Sequence, residues 1–473
     1  MARMAGGDLK ERTLQLNGVT GKLESLFDFR LARLVVPLLA VGVAVTIGLV
    51  VAQGKWLYAA IAIAIGCALS WPVQLGLGLF AFLVPFDFVA FSGGGAEVTG
   101  LTWIAGAAAI ALLLFKGLLS RRLRVPAKSF IWWFLFILWA TTSAAWAQNT
   151  QVSLGRLITV WSLLFFYLVA SCFRANQEEF YWIAWCVILG GICASAYASF
   201  GFYHGISFEK QRATLIIGQN EADPNYFAAG LLMPLSMSIA MFLAMRGWKR
   251  ALSLGAILLI SFALLLSMSR GALVACAVMA FTYFRRLRFS WKQFMPVVLF
   301  ASVIAFLPAT FFARLGNSAE TRGAHRLDIW LIGLAAAKDY GAIGSGLGNF
   351  PVVFNDYLIA AQRFSGYTKY PHNIYLELLV ELGVVGVGLF ILAITAQLKE
   401  AKLSYYASLS SGSERMSHLL LAIEASCWGL LACSFFLGLL WFKLFWFAWI
   451  LLALGTRLSR LSADNACASA EPA

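Results

Sequence analysis

Residues Tyr226 to Arg288 read YFAAGLLMPLSMSIAMFLAMRGWKRALSLGAILLISFALLLSMSRGALVACAVMAFTYFRRLR, three apolar runs separated by RGWKR and SMSRG and closed by RRLR. Runs of this kind are the signal for helices that cross about 30 Å of hydrocarbon. In lipid every backbone N–H and C=O must be satisfied internally, which an unbroken apolar run achieves as a helix. The segment therefore reads as three consecutive transmembrane helices.

The rest of the chain extends the same pattern. Of its 473 residues 61% are hydrophobic and only 12% are charged, which excludes a water-soluble fold of this length. About fourteen stretches are apolar and long enough to span, beginning near Leu31, Trp56, Val73, Gly100, Phe130, Val152, Phe180, Tyr226, Ala251, Gly271, Phe294, Asn373, Ser417 and Phe442. Two short neighbours that fuse or re-enter would reduce this, so the expected fold is an all-α polytopic membrane protein of about 12 to 14 transmembrane helices. Short cytoplasmic loops are enriched in Lys and Arg. With the N-terminus inside, the inner loops receive Arg121, Arg122, Arg124 and Lys128, then Arg246, Lys249 and Arg250, then Arg285, Arg286, Arg288 and Lys292, and finally Lys399, Lys402, Arg457 and Arg460. The net charge of +14 is thus mostly topology, and the basic clusters lack the aromatic interleaving of a nucleic-acid surface.

This pattern divides the chain into a cytoplasmic N-terminal segment (1–30), a helical bundle (31–312) with an outer loop at about 204–225, a large outer loop (313–371), C-terminal transmembrane helices (372–457) and a cytoplasmic tail (458–473). Residues 1–30 have no apolar core of the signal-peptide kind, and the tail after Arg460 reads as unstructured. In the large loop, Arg326–Lys338 has helical spacing with Leu327, Trp330, Leu331 and Leu334 on one side, which suits a helix lying at the membrane interface. Asn355 to Gln362 reads as a second short helix. The eight cysteines form no CxxC and indicate neither a disulfide framework nor a zinc site.

Chemistry gathers on the outer side. His372 lies in YPHNIYLELLVELG, where Pro371 stops what precedes and Asn373 caps the helix that follows. An imidazole ordinarily titrates near about 6.5 and is available as a base, although a hydrogen-bonded interfacial histidine is an equal alternative for a lone residue. Arg212, Arg270, Arg314, Arg322, Arg326 and Arg363 also fall outside, against the positive-inside bias, with Arg156 near an outer helix end. Snorkelling to headgroups accounts for Arg314 and Arg363. Arg270, in LLLSMSRGALV, is costly in apolar surroundings unless it is paired, and an anionic partner is the functional reading. The outer acids Glu209, Glu221, Asp223, Glu320, Asp328 and Asp356 are scattered without DxD spacing, so a bound diphosphate is expected to rest on arginine forks with no metal or cofactor. GAIGSGLGNF (Gly341 to Phe350) lacks the Lys-Ser/Thr of a P-loop and reads as a tight turn. Asp223 and Pro224 read simply as a helix start. Glu377 and Glu381 share a helix face just beyond His372, where they act in the site or pair with its arginines.

From about Arg212 to Phe390 the chain resembles the O-antigen ligase and polymerase family, polytopic proteins of the bacterial inner membrane. The matching elements are Ser267 to Gly271, Arg326 with Trp330, the glycines Gly344, Gly346 and Gly348 with Phe350, His372 with Asn373, and Gly383. The resemblance implies a glycosyltransferase working at the periplasmic face on an undecaprenyl-diphosphate-linked O-antigen donor, with lipid A-core as acceptor in lipopolysaccharide biosynthesis. His372 is then the expected base, Arg270, Arg326, Arg322 and Arg212 the diphosphate ligands, and Asn373, Trp330, Arg156 and Glu377 supporting residues. A polymerase or a protein O-oligosaccharyltransferase of the same family is an alternative. A lipid or polysaccharide flippase is another, although no internal repeat of the transporter kind is evident.

Overall fold

A computed structural model describes residues 73–90, 100–206, 212–217, 220–287, 326–361 and 370–468. The expected spans near Leu31, Trp56 and Phe294, and the residues Glu209, Arg314, Glu320, Arg322 and Arg363, lie outside the described residues. Among the described residues, thirteen α-helices follow in order: α1 Val73–Leu83, α2 Gly100–Leu119, α3 Phe130–Thr142, α4 Thr150–Cys172, α5 Gln177–Tyr203, α6 Pro224–Ala244, α7 Trp248–Leu266, α8 Arg270–Arg286, α9 Arg326–Tyr340, α10 Phe350–Phe354, α11 Ile374–Ser410, α12 Glu414–Cys433 and α13 Lys443–Ala468. A two-residue antiparallel ladder, Ile216–Ile217 with Asn220–Glu221, precedes α6.

The protein is an all-α polytopic membrane protein. Among the described residues seven helices are long and apolar enough to cross a membrane. Every expected span start that falls on described residues lies within three residues of an observed helix start. Several of those helices are short, 11 residues in α1 and 13 in α3, which is why fewer meet the length needed to span alone. Local chemistry sets the boundaries. Asn149 Oδ1 caps Val152 N, Asn176 and Glu179 form a capping box, and Asp223 with Pro224 opens α6 as expected. The tail departs from expectation: α13 continues to Ala468, because LSADNACA contains neither Pro nor Gly to stop it.

Contacts at the helix ends fall into two groups. At one, Arg122 makes a bidentate bridge to Glu179 (2.8 and 2.5 Å), Arg286 pairs with Glu424 (2.6 Å), and Arg457 Nε donates to Ser171 O (3.2 Å). At the other, Asn149 N donates to Asn349 Oδ1 (2.7 Å), Ile374 N to Ser434 O (3.0 Å), and Lys443 to Asp87 (2.9 Å) and Thr102 (2.7 Å). These are the groups of loops that the charge pattern assigns to opposite sides.

Between them lies an aromatic core in which Trp133, Trp446, Trp449 and Phe390 are fully buried. Gln397 crosses it, accepting from Trp133 Nε1 (2.7 Å) and donating to Trp449 O (2.6 Å), so a polar group in the core is satisfied on both sides. A second, smaller core of Ile329, Ile332, Phe350, Val353, Phe354, Leu376 and Val380 seats α9 and α10 on the first turns of α11. Leu327, Leu331 and Leu334 are left about half exposed along α9, while Trp330 packs against this second core.

Candidate active site

The glycine run supplies the floor. Gly344, Gly346 and Gly348 take φ of +91°, +102° and +76°, values that L side chains rarely adopt. The turn they build packs against a break in α11 at Gly383 (φ +66°). Ser345 N and Gly346 N donate to Val380 O (2.8 Å) and Glu381 O (2.9 Å), satisfying carbonyls that the break releases. The buried Glu381 carboxylate accepts from Gly348 N (2.7 Å) and Phe350 N (3.1 Å). These amides are occupied within the protein, so the run is the tight turn expected from the sequence and not an anion cradle. A Cβ on Gly344 would collide with the Glu381 backbone. Gly344→Ala is therefore expected to destabilise the protein by about 2 kcal/mol or more. Thermal unfolding in detergent checks this, and an unchanged midpoint would contradict the packing role.

The His372 turn is held from four directions. Asn373 caps α11, its Oδ1 accepting from Tyr375 N (3.0 Å) and Leu376 N (3.2 Å), and Ile374 N donates to Ser434 O. Trp330 Nε1 donates to Pro371 O (3.1 Å), and Arg156 Nη2 donates to Tyr370 Oη (2.9 Å). His372 itself is half-buried and takes a left-handed φ of +47°. Such backbone strain in a non-glycine residue costs about 1–3 kcal/mol and collects at functional sites.

The arginines converge on the same place. Arg326 is the first residue of α9, one helical turn before Trp330, so the hydrogen bond from Trp330 to Pro371 brings Arg326 and His372 to one mouth. Arg326 is also close enough to Arg270 and Asp223 to feel both charges. Burial and the neighbouring Arg270 push the Arg326 guanidinium down from its usual range, and Asp223 opposes them. Among the described residues neither Arg270 nor Arg326 is in an ion pair or side-chain hydrogen bond. Arg270 differs from expectation: it is exposed, because the SMS turn carries it out of the apolar run to the start of α8. There it adds to the positive end of the helix dipole, which makes the location more attractive to an anion.

Arg212 is buried and braced. Its Nε donates to Ser267 O (2.6 Å) in the turn before α8, and its Nη2 donates to Asn225 Oδ1 (2.9 Å). Asn225 in turn donates to Asp223 Oδ1 through its backbone N (2.7 Å) and its side-chain amide (2.9 Å). Met268, between Ser267 and Ser269, is left-handed at φ +52°. Arg212 thus ties the starts of α6 and α8 together beneath the two less-committed arginines.

Of the residues singled out from the sequence, Arg270, Arg326, Arg212, Trp330, His372, Asn373, Arg156 and Glu377 are gathered at this one end, while Arg322 lies outside the described residues. Glu377 is buried where a Cβ on Gly438 would lie 3.3 Å from its Oε2 and 3.9 Å from the Tyr226 hydroxyl. Asp223 was legible only as part of a helix start, and Asn225 was not singled out. Their further part, setting the charge and spacing of the arginines, follows from a crossing of α6 and α8 that no local pattern encodes. Among the described residues no group of three or more His, Cys, Asp or Glu is placed to hold a metal ion.

A comparison with curated proteins found no match. Residues 255–391, which contain Arg270, Arg326, Trp330, the glycine turn and His372, match the family model described as O-antigen ligase.

Proposed function

We propose that the protein is an O-antigen ligase of the bacterial inner membrane, transferring a glycan at the periplasmic face from undecaprenyl diphosphate to a lipid A-core acceptor. The observation that carries this reading is the Trp330 to Pro371 hydrogen bond, which joins the helix that starts with Arg326 to the turn that holds His372. An anion-binding half and a basic half thereby face one mouth.

Outside the cytoplasm no nucleotide sugar is at hand, so the donor must arrive activated, and a lipid diphosphate is a good leaving group. Arg270 and Arg326 bind that diphosphate and stabilise the charge that grows on it as the glycosidic bond breaks. Arg212 aids them by fixing the turn that presents Arg270, and Arg322 is a further candidate ligand. His372 accepts the proton of the acceptor hydroxyl as that oxygen attacks the anomeric carbon. Direct displacement inverts the anomeric centre.

In this scheme the diphosphate rests on arginines alone, so a chelator is expected to leave the rate of transfer unchanged. Loss of transfer on chelation, restored by a divalent cation, would contradict that part. The ligase reading itself is tested in cells. Removal of the protein should leave lipid A-core without O-antigen on gels while lipid-linked glycan accumulates, and restoring it should return the ladder. A full ladder in its absence would overturn the assignment, and lipid flux in liposomes that is independent of His372 would favour a flippase.

A further inference from the structure

We infer that Arg156 is a positioning residue for the His372 turn, acting through Tyr370 across the glycine turn; the inference rests on the role proposed above for His372. Arg156 belongs to α4 and lies more than two hundred residues before His372, yet its Nη2 donates to the Tyr370 hydroxyl at 2.9 Å and its guanidinium carbon lies 5.8 Å from the centre of the Tyr370 ring. Tyr370 is two residues from His372. The intervening Pro371 is pinned by Trp330, so the segment is fixed by hydrogen bonds from two different helices.

The path of Arg156 is itself built. It passes over Gly348, where a Cβ would lie 3.0 Å from Arg156 Cγ and 3.6 Å from Nε. Gly348 is also the residue whose N–H the Glu381 carboxylate accepts. A side chain at Gly348 would displace the arginine, so the glycine has a second reason to be there besides its positive φ. The titratable groups facing Arg156 are Glu377 and Glu381 on α11, both buried and both within electrostatic range of it. Neither is in a direct ion pair with Arg156 among the described residues. Arg156 therefore keeps its fork for Tyr370.

What this accomplishes is mechanical. A left-handed histidine lies at a local energy disadvantage and relaxes unless the surroundings over-determine it. The cap from Asn373 fixes the chain after His372, and the pair of bonds to Tyr370 and Pro371 fixes the chain before it. Loosening the Tyr370 end is expected to misplace the imidazole without touching the donor arginines, and a displacement of about 1 Å can lower a rate by about 100-fold.

The test uses the full-length protein in detergent with Tyr370→Phe, Arg156→Gln and Arg156→Lys. Turnover is expected to fall by about 10- to 100-fold in Tyr370→Phe and Arg156→Gln while KM for the lipid-linked donor stays unchanged, with partial recovery in Arg156→Lys. A rise in donor KM with unchanged turnover would instead make Arg156 a donor ligand and overturn the positioning role. A second readout is independent of catalysis: modification of His372 by diethyl pyrocarbonate, followed by mass spectrometry, is expected to change several-fold in rate in Tyr370→Phe. Labelling that matches the wild type in all three variants would overturn the clamp. Altered labelling together with transfer that does not depend on His372 would keep the clamp and sink the base assignment.

Discussion

Arg326→Ala is expected to lower glycan transfer by about 10²- to 10³-fold, the range seen when one group that stabilises developing charge is removed. Arg326 is partly buried at the start of α9, near the like charge of Arg270, and Asp223 is the nearby carboxylate that favours its cation. Placing an arginine there lowers the affinity of its guanidinium for a proton, so the local field calls for more negative charge than the protein supplies. A diphosphate supplies it. Because the substitution also relieves repulsion from Arg270, thermal unfolding should be unchanged or slightly improved while activity collapses, the usual sign of a site tuned for function at the expense of stability. Arg326→Lys should recover only part of the rate, since an ammonium lacks the planar fork that matches a phosphate. An Arg326→Ala protein that unfolds like the wild type and transfers glycan at the wild-type rate would exclude this role.

His372→Ala is expected to cost about 10²- to 10⁴-fold in turnover, the typical contribution of a positioned base. The backbone supplies a sharper version. With φ at +47°, position 372 favours glycine, so His372→Gly should remove strain and stabilise the fold by a fraction of the about 1–3 kcal/mol such conformations cost, while being as inactive as the alanine variant. A histidine kept only for packing would give the opposite pattern, with stability lost and turnover spared. Measuring the unfolding midpoint and the turnover of the same two variants separates the cases.

Much of the fold was written in local pattern. Apolar length fixed the helices of the bundle, and Asp223 and Asn373 marked the starts of α6 and α11 through cap chemistry that depends only on near neighbours. The candidate site was readable as a set of residue types that the charge pattern puts on one side, the arginines that break the alternation among them. Their division of labour was not. Whether Arg212 faces a ligand or braces a turn depends on Ser267, in the turn before α8, and Asn225, in α6, which meet only in three dimensions. Arg270 read as costly unless paired because its neighbours in sequence are apolar, yet the turn at Met268 places it at an exposed helix start. Glu377 and Glu381 share a face as their spacing requires. Glu381, however, is satisfied by the amides of Gly348 and Phe350, a pairing that needs the break at Gly383 and the glycine turn together.

The most direct measurement is reconstitution: the purified protein in liposomes with an undecaprenyl-diphosphate-linked glycan and lipid A-core, with product followed by gel and mass spectrometry. Glycan joined to lipid A-core, with undecaprenyl diphosphate released in equal amount and no product from His372→Ala or Arg326→Ala, is the predicted result. Glycan that lengthens on the carrier, or that crosses the bilayer unchanged while lipid A-core stays bare, would contradict it.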